Sequence, residues 1–147
     1  MKNKNLQKLP PIVVAAAIIQ QEDMILLARR KPGSPLGGLW EFPGGKKELG
    51  EALEDCLRRE VQEELGVEIS DPQPFHALRH QYPDKEVELY FYTCSIIQGV
   101  PQALECAEIV WVHKHELIFY EFPPADIPVL YKIIQSGNSD ESVFPTL

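Results

Sequence analysis

Residues 45–67 constrain the fold and the chemistry of this chain more than any other segment. They place six acidic residues between positions 51 and 64, in a stretch of helical length beside a glycine turn. Glu60, Glu63 and Glu64 fall on one side of an α-helix, with Cβ atoms about 5–6 Å apart. Such crowding destabilises a helix unless cations occupy the site, and hard cations such as Mg²⁺ bind carboxylates together with substrate phosphates. The segment therefore predicts a magnesium-dependent site for a phosphorylated substrate.

The apolar residues of the same segment predict a helix from about residue 50 to residue 65, with Gly66 as its C-terminal stop. Apolar side chains recur at every fourth position and form a stripe that faces the core, at Leu53, Leu57, Val61 and Leu65. Because successive residues are rotated by about 100°, Glu60 and Glu64 project beside this stripe and not opposite it. Acids that border a buried stripe are unusual on a solvated face, so the arrangement favours a cleft.

The length of 147 residues predicts one domain, which would bury about 68–70% of the surface that the unfolded chain exposes. A hydrophobic fraction of 44% and a charged fraction of 24% are typical of a soluble globular protein. We predict a flexible tail at residues 1–10, a single domain at residues 11–137 and a C-terminal tail at residues 138–147.

The charge balance and the cysteines exclude several classes of function. A formal net charge of −8 opposes stable binding to nucleic acid, and it means that a polyanionic substrate needs metal ions or a local basic patch. No apolar run approaches the roughly 20 residues that span a membrane. Three cysteines without C-x-x-C spacing, Cys56, Cys94 and Cys106, indicate reduced thiols in a cytoplasmic protein without structural zinc.

The rest of the pattern predicts strands before and after this helix. Residues 12–20 and 24–30 form a hairpin through a polar turn, residues 39–42 form a short strand, and Pro43-Gly44-Gly45 forms a turn. Further strands are predicted at residues 67–69, 75–81, 87–97 and 109–112, with a hairpin turn at 82–85 and a second helix at 127–135. This mixed pattern predicts an α+β fold or an α/β/α sandwich.

The central segment resembles the Nudix box, G-x5-E-x7-R-E-U-x-E-E-x-G-U, in which U is an aliphatic residue. All nine specified positions match, at Gly45, Glu51, Arg59, Glu60, Val61, Glu63, Glu64, Gly66 and Val67. Residues 39–46 and 122–126 are also similar to MutT-type members of this family, so the resemblance covers residues 12–135. It implies an α+β fold, the Nudix α/β/α sandwich with a mixed β-sheet, in which the box forms a loop–helix–loop.

The resemblance also implies roles for the residues of the box. Divalent ions, Mg²⁺ with Mn²⁺ as a possible substitute, would be bound by Glu60, Glu63 and Glu64, by the carbonyl of Gly44 and by Glu105. Arg59 would orient the glutamates by ion pairing, while Gly45, Glu51 and Gly66 would support the box. Water would attack a phosphorus of a pyrophosphate linkage, with Glu60 as the preferred general base and Glu63 and Glu105 as alternatives.

Residues outside the box would bind the substrate. Near the phosphates the resemblance places Arg30, Lys46 and Lys85, and near the nucleotide it places Glu41, Phe42, Pro43, Gly44 and Asp126. Other interpretations stay open for several of them: Arg29, Arg30 and Lys31 can be an ordinary solvent-exposed strand end, Lys85 can be a turn residue, and Phe42 can be a core aromatic.

Asp126 has two interpretations. It stands just before Ile127-Pro128 and suits a helix N-cap. It also matches the position at which the MutT type that removes oxidised guanine has Asn, which donates and accepts hydrogen bonds. An ionised Asp only accepts, whereas a protonated Asp in an apolar pocket regains a donor. Some relatives that hydrolyse CTP and modified pyrimidine triphosphates carry a similar Pro-Ala-Asp-Ile-Pro segment.

The expected function is Mg²⁺-dependent hydrolysis of nucleoside triphosphates to monophosphate and pyrophosphate, with oxidised purine nucleotides such as 8-oxo-dGTP as the leading substrates. The alternatives are a pyrophosphohydrolase for CTP, dCTP or modified pyrimidine triphosphates, an RNA 5′ pyrophosphohydrolase, and a non-catalytic nucleotide-binding domain. The expected partner is a small nucleotide, and both a monomer and a homodimer stay open.

Overall fold

The computed structural model describes residues 9–136, which contain nine β-strands and two α-helices. In chain order the elements are β1 (Ile12–Gln21), β2 (Met24–Arg29), β3 (Trp40–Glu41), β4 (Gly44–Lys46), α1 (Leu53–Leu65), β5 (Glu68–Ile69), β6 (Gln73–Gln81), β7 (Glu86–Cys94), β8 (Ile96–Gln98), β9 (Glu108–His113) and α2 (Ile127–Gln135). Two 3₁₀ helices, Lys114–Phe119 and Pro124–Asp126, precede α2. Residues 1–8 and the predicted tail at 138–147 lie outside the described residues, so the division into one domain and two tails stays a prediction.

Within the described residues, seven strands form one mixed sheet with β1 at its centre. β1 pairs in parallel with β7, from Ile12 opposite Val87 to Ile19 opposite Cys94, and antiparallel with β2 and β4. β6 extends the sheet beyond β7, and both β3 and β9 pair with β2. β5 and β8 form a small separate sheet. The predicted β1–β2 hairpin and the turn at 82–85 between β6 and β7 are confirmed.

β1 separates two apolar layers because its side chains alternate between the two faces of the sheet. Ala15, Ala17 and Ile19 pack with the buried face of α1. Ala16 and Ile18 pack on the opposite face, against an apolar cluster that includes Phe42, Phe91, Val129, Leu130 and Ile133. Helices therefore cover both faces of the sheet, and the predicted α+β sandwich is confirmed.

Helix α1 has the predicted apolar stripe but begins later than predicted. Leu57, Val61 and Leu65 are buried, together with Cys56, and the helix ends at Gly66, whose φ is 74°. The predicted start at residue 50 or 51 is wrong, because Ala52 is the N-cap. The carboxylate of Glu51 accepts a hydrogen bond from the backbone N–H of Glu48, so residues 48–51 form a turn before the helix.

The turn predicted at Pro43-Gly44-Gly45 is wrong for its two glycines, which begin strand β4. Gly44 pairs with Ala16, and Gly45 pairs with Ala15. The backbones approach so closely that a Cβ built on Gly44 would lie 2.0 Å from the carbonyl oxygen of Ala15. Glycine is required here because a side chain would overlap the neighbouring backbone of β1, and not because the chain turns.

The single strand predicted at residues 87–97 is also wrong, since it divides into β7 and β8. At the break, the backbone N–H of Ser95 donates to the hydroxyl of Ser70, and the N–H of Ser70 donates to the carbonyl of Ser95. These bonds direct the chain from the large sheet into the small one. The 3₁₀ helices at 114–119 and 124–126 were not expected, and the other strand boundaries differ from prediction by at most two residues.

We expect Gly44→Ala to lower the free energy of unfolding by about 3 kcal/mol or more, because the added methyl group overlaps the backbone of β1. The matched control is Gly33→Ala, at a φ of 88° with no atom within 4 Å of the added Cβ, for which we expect a loss of about 1 kcal/mol. Urea unfolding of both variants measures the difference. If both variants lost the same free energy of unfolding, the close approach of β4 to β1 would not be what excludes a side chain at Gly44.

Candidate active site

A cavity of about 410 Å³ opens where β1, β4 and the end of α1 meet. Its floor comes from alternate residues of β1 and β7, including Val14, Ala16, Leu89 and Phe91. Its walls carry most of the charged groups of the region, namely Arg30, Lys31, Glu41, Lys46, Glu64, Glu105 and Asp126. The volume is typical of small-molecule sites, so the cavity can enclose a substantial part of a small ligand.

Glu64 brings the end of α1 into this cavity. One of its carboxylate oxygens lies 3.3 Å from the backbone nitrogen of Gly44, which donates to it. Burial, together with the neighbouring Glu41, Glu60 and Glu105, raises the pKa of Glu64 to about 8 although the Gly44 bond opposes the rise. The protein therefore provides less positive charge at Glu64 than its ionised carboxylate needs.

Glu60 lies one turn earlier and packs against Gly45. A Cβ built on Gly45 would lie 2.2 Å from a carboxylate oxygen of Glu60, so only glycine leaves room for this side chain. Burial raises the pKa of Glu60, the bond to Arg59 opposes the rise, and Glu63 and Glu105 add to it. Glu60 and Glu64 thus form a cluster of partly buried acids at one end of the cavity.

Arg59 fixes the outer side of this cluster. Its guanidinium group holds Glu51 through two bonds of 2.8 and 3.0 Å, and it also contacts Glu60 at 2.9 Å and Glu63 at 3.4 Å. The bonds to Arg59 and to the Glu48 backbone lower the pKa of Glu51 to about 2. The predicted ion pairs of Arg59 are confirmed, and Glu51 anchors the arginine from the turn before α1.

Asp126 lines the same cavity and is 8% exposed. Phe42, which also lines it, packs edge to face on Phe91 and tilted on Phe122. The N-cap interpretation is wrong, because within the described residues the Asp126 side chain makes no capping hydrogen bond and its backbone is already helical. Burial raises the pKa of Asp126 to about 7, with Glu41 adding to the rise. Its carboxyl group is therefore available to a ligand.

Glu41 and Arg30 also line the cavity. They form an ion pair of 2.9 Å, and the Arg30 Nε also donates to the carbonyl of Pro35 at 2.7 Å. Burial raises the pKa of Glu41 although Arg30 opposes the rise. The ion pair therefore offsets only part of the negative charge of the cavity.

Five residues predicted to act in catalysis or binding do not line the cavity that the described residues form, namely Arg59, Glu60, Glu63, Pro43 and Lys85. Lys85 is at the tip of the β6–β7 hairpin, with its ammonium 5.6 Å from the ring centroid of Tyr82. Glu63 is half-exposed on the outer side of α1 beside Arg59. Pro43 is buried, and its carbonyl accepts a bond from Ala17. Their expected roles in binding stay predictions.

Other residues line the cavity although sequence reasoning did not assign them to it. Lys31 and Ser34 come from the loop after β2, and Cys106 precedes β9. The alternation of Leu89 and Phe91 was visible in the sequence, but their partner strand was not.

All three cysteines lie within the described residues and are free thiols, as predicted. No helix in the described part of the chain is long and apolar enough to cross a membrane.

The donor set of the acidic end fits a hard divalent cation. Within residues 9–136, no group of three His, Cys, Asp or Glu side chains is already arranged as a metal site. Glu60, Glu64 and Glu105 nevertheless repel one another, and all three offer oxygen atoms. Ions such as Mg²⁺ need only one or two carboxylates when a substrate phosphate supplies further ligands, so a complete protein cage is not required.

Comparisons with known proteins agree with this arrangement. A family model described as NUDIX domain matches residues 14–132. The 8-oxo-dGTP diphosphatase of Haemophilus influenzae is 35% identical over 77% of this chain and 83% of its own length. The CTP pyrophosphohydrolase of Escherichia coli is 38% identical over 71% of this chain and 78% of its own length. A MutT NUDIX hydrolase structure from Burkholderia pseudomallei matches with a TM-score of 0.76 at 26% identity, covering 84% of this chain and 98% of its own.

The raised pKa of Glu64 predicts how the stability of the metal-free protein depends on pH. Because the pKa of Glu64 rises from 4.5 to about 8 on folding, its protonated form favours the folded state. This contribution is complete below pH 4.5 and is lost as the pH rises through about 8. Thermal unfolding in the presence of a chelator should therefore show a falling Tm from pH 5 to pH 8.5, and Glu64→Gln should reduce the fall.

The control for this experiment is Glu54→Gln, which removes an exposed carboxylate from the first turn of the same helix. We expect its Tm to follow the pH dependence of the wild type. If the Tm of the Glu64→Gln variant also fell with pH as the wild-type Tm does, the raised pKa of Glu64 would be contradicted.

Proposed function

This chain belongs to the Nudix family and is a MutT-type pyrophosphohydrolase, and we propose that it hydrolyses nucleoside triphosphates to a nucleoside monophosphate and pyrophosphate with Mg²⁺. Nudix hydrolases generally use a divalent metal. Mg²⁺ is proposed because the acidic end offers oxygen ligands, and Mn²⁺ accepts similar ligands. One observation above all supports the triphosphate substrate: a single cavity is lined by the acids Glu64 and Glu105 and also by Phe42 and Asp126.

The acidic end is proposed to bind the cation and the phosphates. Glu60, Glu63, Glu64 and Glu105 would hold it together with the carbonyl of Gly44. A divalent cation there neutralises phosphate oxygens and makes water more acidic. Arg59 orients Glu60 through their 2.9 Å bond, and Glu60 accepts the proton of the attacking water. Its raised pKa suits this role, because a general base works best when its pKa approaches the pH of the reaction.

Positive charge for the phosphates comes from Lys46, which lines the cavity from β4. Arg30 also lines the cavity, but its guanidinium group is paired with Glu41 at 2.9 Å. Lys85 can take part only if the β6–β7 hairpin brings it closer, since its ammonium packs on Tyr82.

Phe42 and Asp126 are proposed to bind the base, and the preferred base is an oxidised purine such as that of 8-oxo-dGTP. Phe42 supplies an apolar surface, and the pKa of Asp126 near 7 leaves both protonation states populated at neutral pH. The protonated carboxyl donates and accepts hydrogen bonds, as the edge of an oxidised guanine requires. The relative from Haemophilus influenzae, an 8-oxo-dGTP diphosphatase, supports this choice.

The second candidate substrate is CTP or dCTP. The ionised form of Asp126 can accept a hydrogen bond from the amino group of cytosine. The similarity to the Escherichia coli CTP pyrophosphohydrolase supports this alternative at a comparable identity.

A kinetic panel of 8-oxo-dGTP, dGTP, CTP and dCTP with Mg²⁺, with the products identified, tests the proposal. We expect release of pyrophosphate and the highest kcat/KM for 8-oxo-dGTP. Asp126→Asn, which donates at every pH, should raise the ratio of kcat/KM for 8-oxo-dGTP over CTP about tenfold, because a hydrogen bond to a charged group contributes about 1.5–3 kcal/mol.

Asp84→Asn makes the same change on the exposed β6–β7 turn and should leave this ratio unchanged. Release of orthophosphate alone, or no turnover of any nucleotide, would overturn the proposed reaction. If Asp126→Asn lowered kcat/KM equally for 8-oxo-dGTP and CTP and also lowered the Tm, Asp126 would have a role in the fold and not in base recognition.

A further inference from the structure

The loop at residues 31–38 forms one wall of the cavity, and Arg30 holds it in place. The Arg30 Nε donates to the carbonyl of Pro35 at 2.7 Å, and its NH1 atom contacts Glu41 at 2.9 Å. The backbone of Arg30 closes the base of the loop through bonds with Leu39 and Gly38. Two guanidinium nitrogens of Arg30 thus connect the loop to the cavity wall, so this side chain is committed to contacts within the protein.

Lys31, the next residue, is differently placed. It is exposed and lines the cavity, and its carbonyl accepts bonds from both the hydroxyl of Ser34 at 2.6 Å and the Ser34 backbone N–H at 3.2 Å. These bonds fix the backbone of Lys31 in the loop. Within residues 9–136, no carboxylate forms an ion pair with its ammonium group. Lys31 is therefore a positioned cation that has its charge available.

Lys31 lines the same cavity as Glu64 and Glu105. A group that binds near Glu64 therefore lies in the cavity that Lys31 also lines.

A polyanionic substrate needs such a charge. The chain has a formal charge of −8, and four carboxyl groups line the cavity, from Glu41, Glu64, Glu105 and Asp126. Of the cations that line it, Arg30 is already paired with Glu41. Like charges repel an approaching triphosphate unless cations offset them, and Lys31 and Lys46 both line the cavity.

We propose that Lys31 contacts the polyphosphate of the substrate, and that Arg30 is a positioning residue that holds the 31–38 loop, and with it Lys31, against the cavity. This inference rests on the proposed function, because it takes a nucleoside triphosphate as the substrate. It assigns the phosphate contact on this wall to a lysine that neither the box nor its flanking motifs contain.

Steady-state kinetics of Lys31→Gln test the contact. We expect KM for the preferred nucleoside triphosphate to rise about fivefold with kcat unchanged, since a partly screened charge contact contributes on that scale. KM should also become less sensitive to salt, because one ionic contact is missing. Lys31→Arg keeps the charge and should restore most of the affinity. Lys114→Gln removes a lysine whose ammonium bonds to Ser136, and it should leave KM unchanged.

Direct titration separates this inference from the proposed reaction. Calorimetry with inorganic tripolyphosphate and Mg²⁺ should show about fivefold weaker binding to Lys31→Gln than to the wild type, even if no nucleotide were hydrolysed. Binding of a nucleoside monophosphate to the same variant should be nearly unchanged. Equal affinity of tripolyphosphate for both proteins, or an equal loss for monophosphate and triphosphate, would overturn the role of Lys31.

The positioning role of Arg30 is tested by a double-mutant cycle. If Arg30 acts through Lys31, the Arg30→Gln and Lys31→Gln effects on KM should not multiply in the double variant. Effects that multiply would show that Arg30 contacts the phosphates independently and would overturn its assignment as a positioning residue.

Discussion

The close approach of the Gly44-Gly45 backbone to its neighbours is the constraint on which this site depends. On one side, Gly44 contacts the backbone of β1 at Ala15, where a side chain cannot fit. On the other side, Gly45 leaves the space that the Glu60 carboxylate occupies. The strand β4 is therefore held between β1 and α1, with the N–H of Gly44 directed to Glu64. A larger residue at either glycine would separate the acids from the cavity.

The second determinant is that the acids of α1 are compensated unequally by hydrogen bonds and positive charge. Arg59 compensates the outer acids and satisfies Glu51 fully, with two bonds to one carboxylate. Glu60 receives one bond from Arg59, whereas Glu64 receives a single long bond from a backbone N–H. Burial raises the pKa values of both Glu60 and Glu64, and these few bonds do not offset the rise. The folded protein thus contains carboxylates whose ionised forms a bound cation would stabilise, next to a cavity of about 410 Å³.

Local spacing explains which features could be predicted from the sequence. The acids of α1, its apolar stripe and its stop at Gly66 depend on helical geometry over a few residues, so they were predictable. Strand β4 was missed because a glycine pair after proline signals a turn, whereas here it permits a tertiary contact with Ala15. The interpretation of Asp126 as an N-cap failed for a similar reason, since its burial beside Phe42 depends on how α2 packs on the sheet. Lys31 and Cys106 reach the cavity through the pairing of β2 with β9, which no local pattern reveals.

The most direct test of the central claim is a titration of the wild type and Glu64→Gln with Mg²⁺ in buffers of different ionisation enthalpy. If Glu60 and Glu64 bind the cation, the affinity for Mg²⁺ should increase from pH 6 to pH 8. Binding should also release protons, because the pKa of Glu64 is about 8 without metal. Glu64→Gln should weaken binding and release fewer protons. Binding that is independent of pH and equal in both proteins would contradict the assignment of this cluster as the cation site.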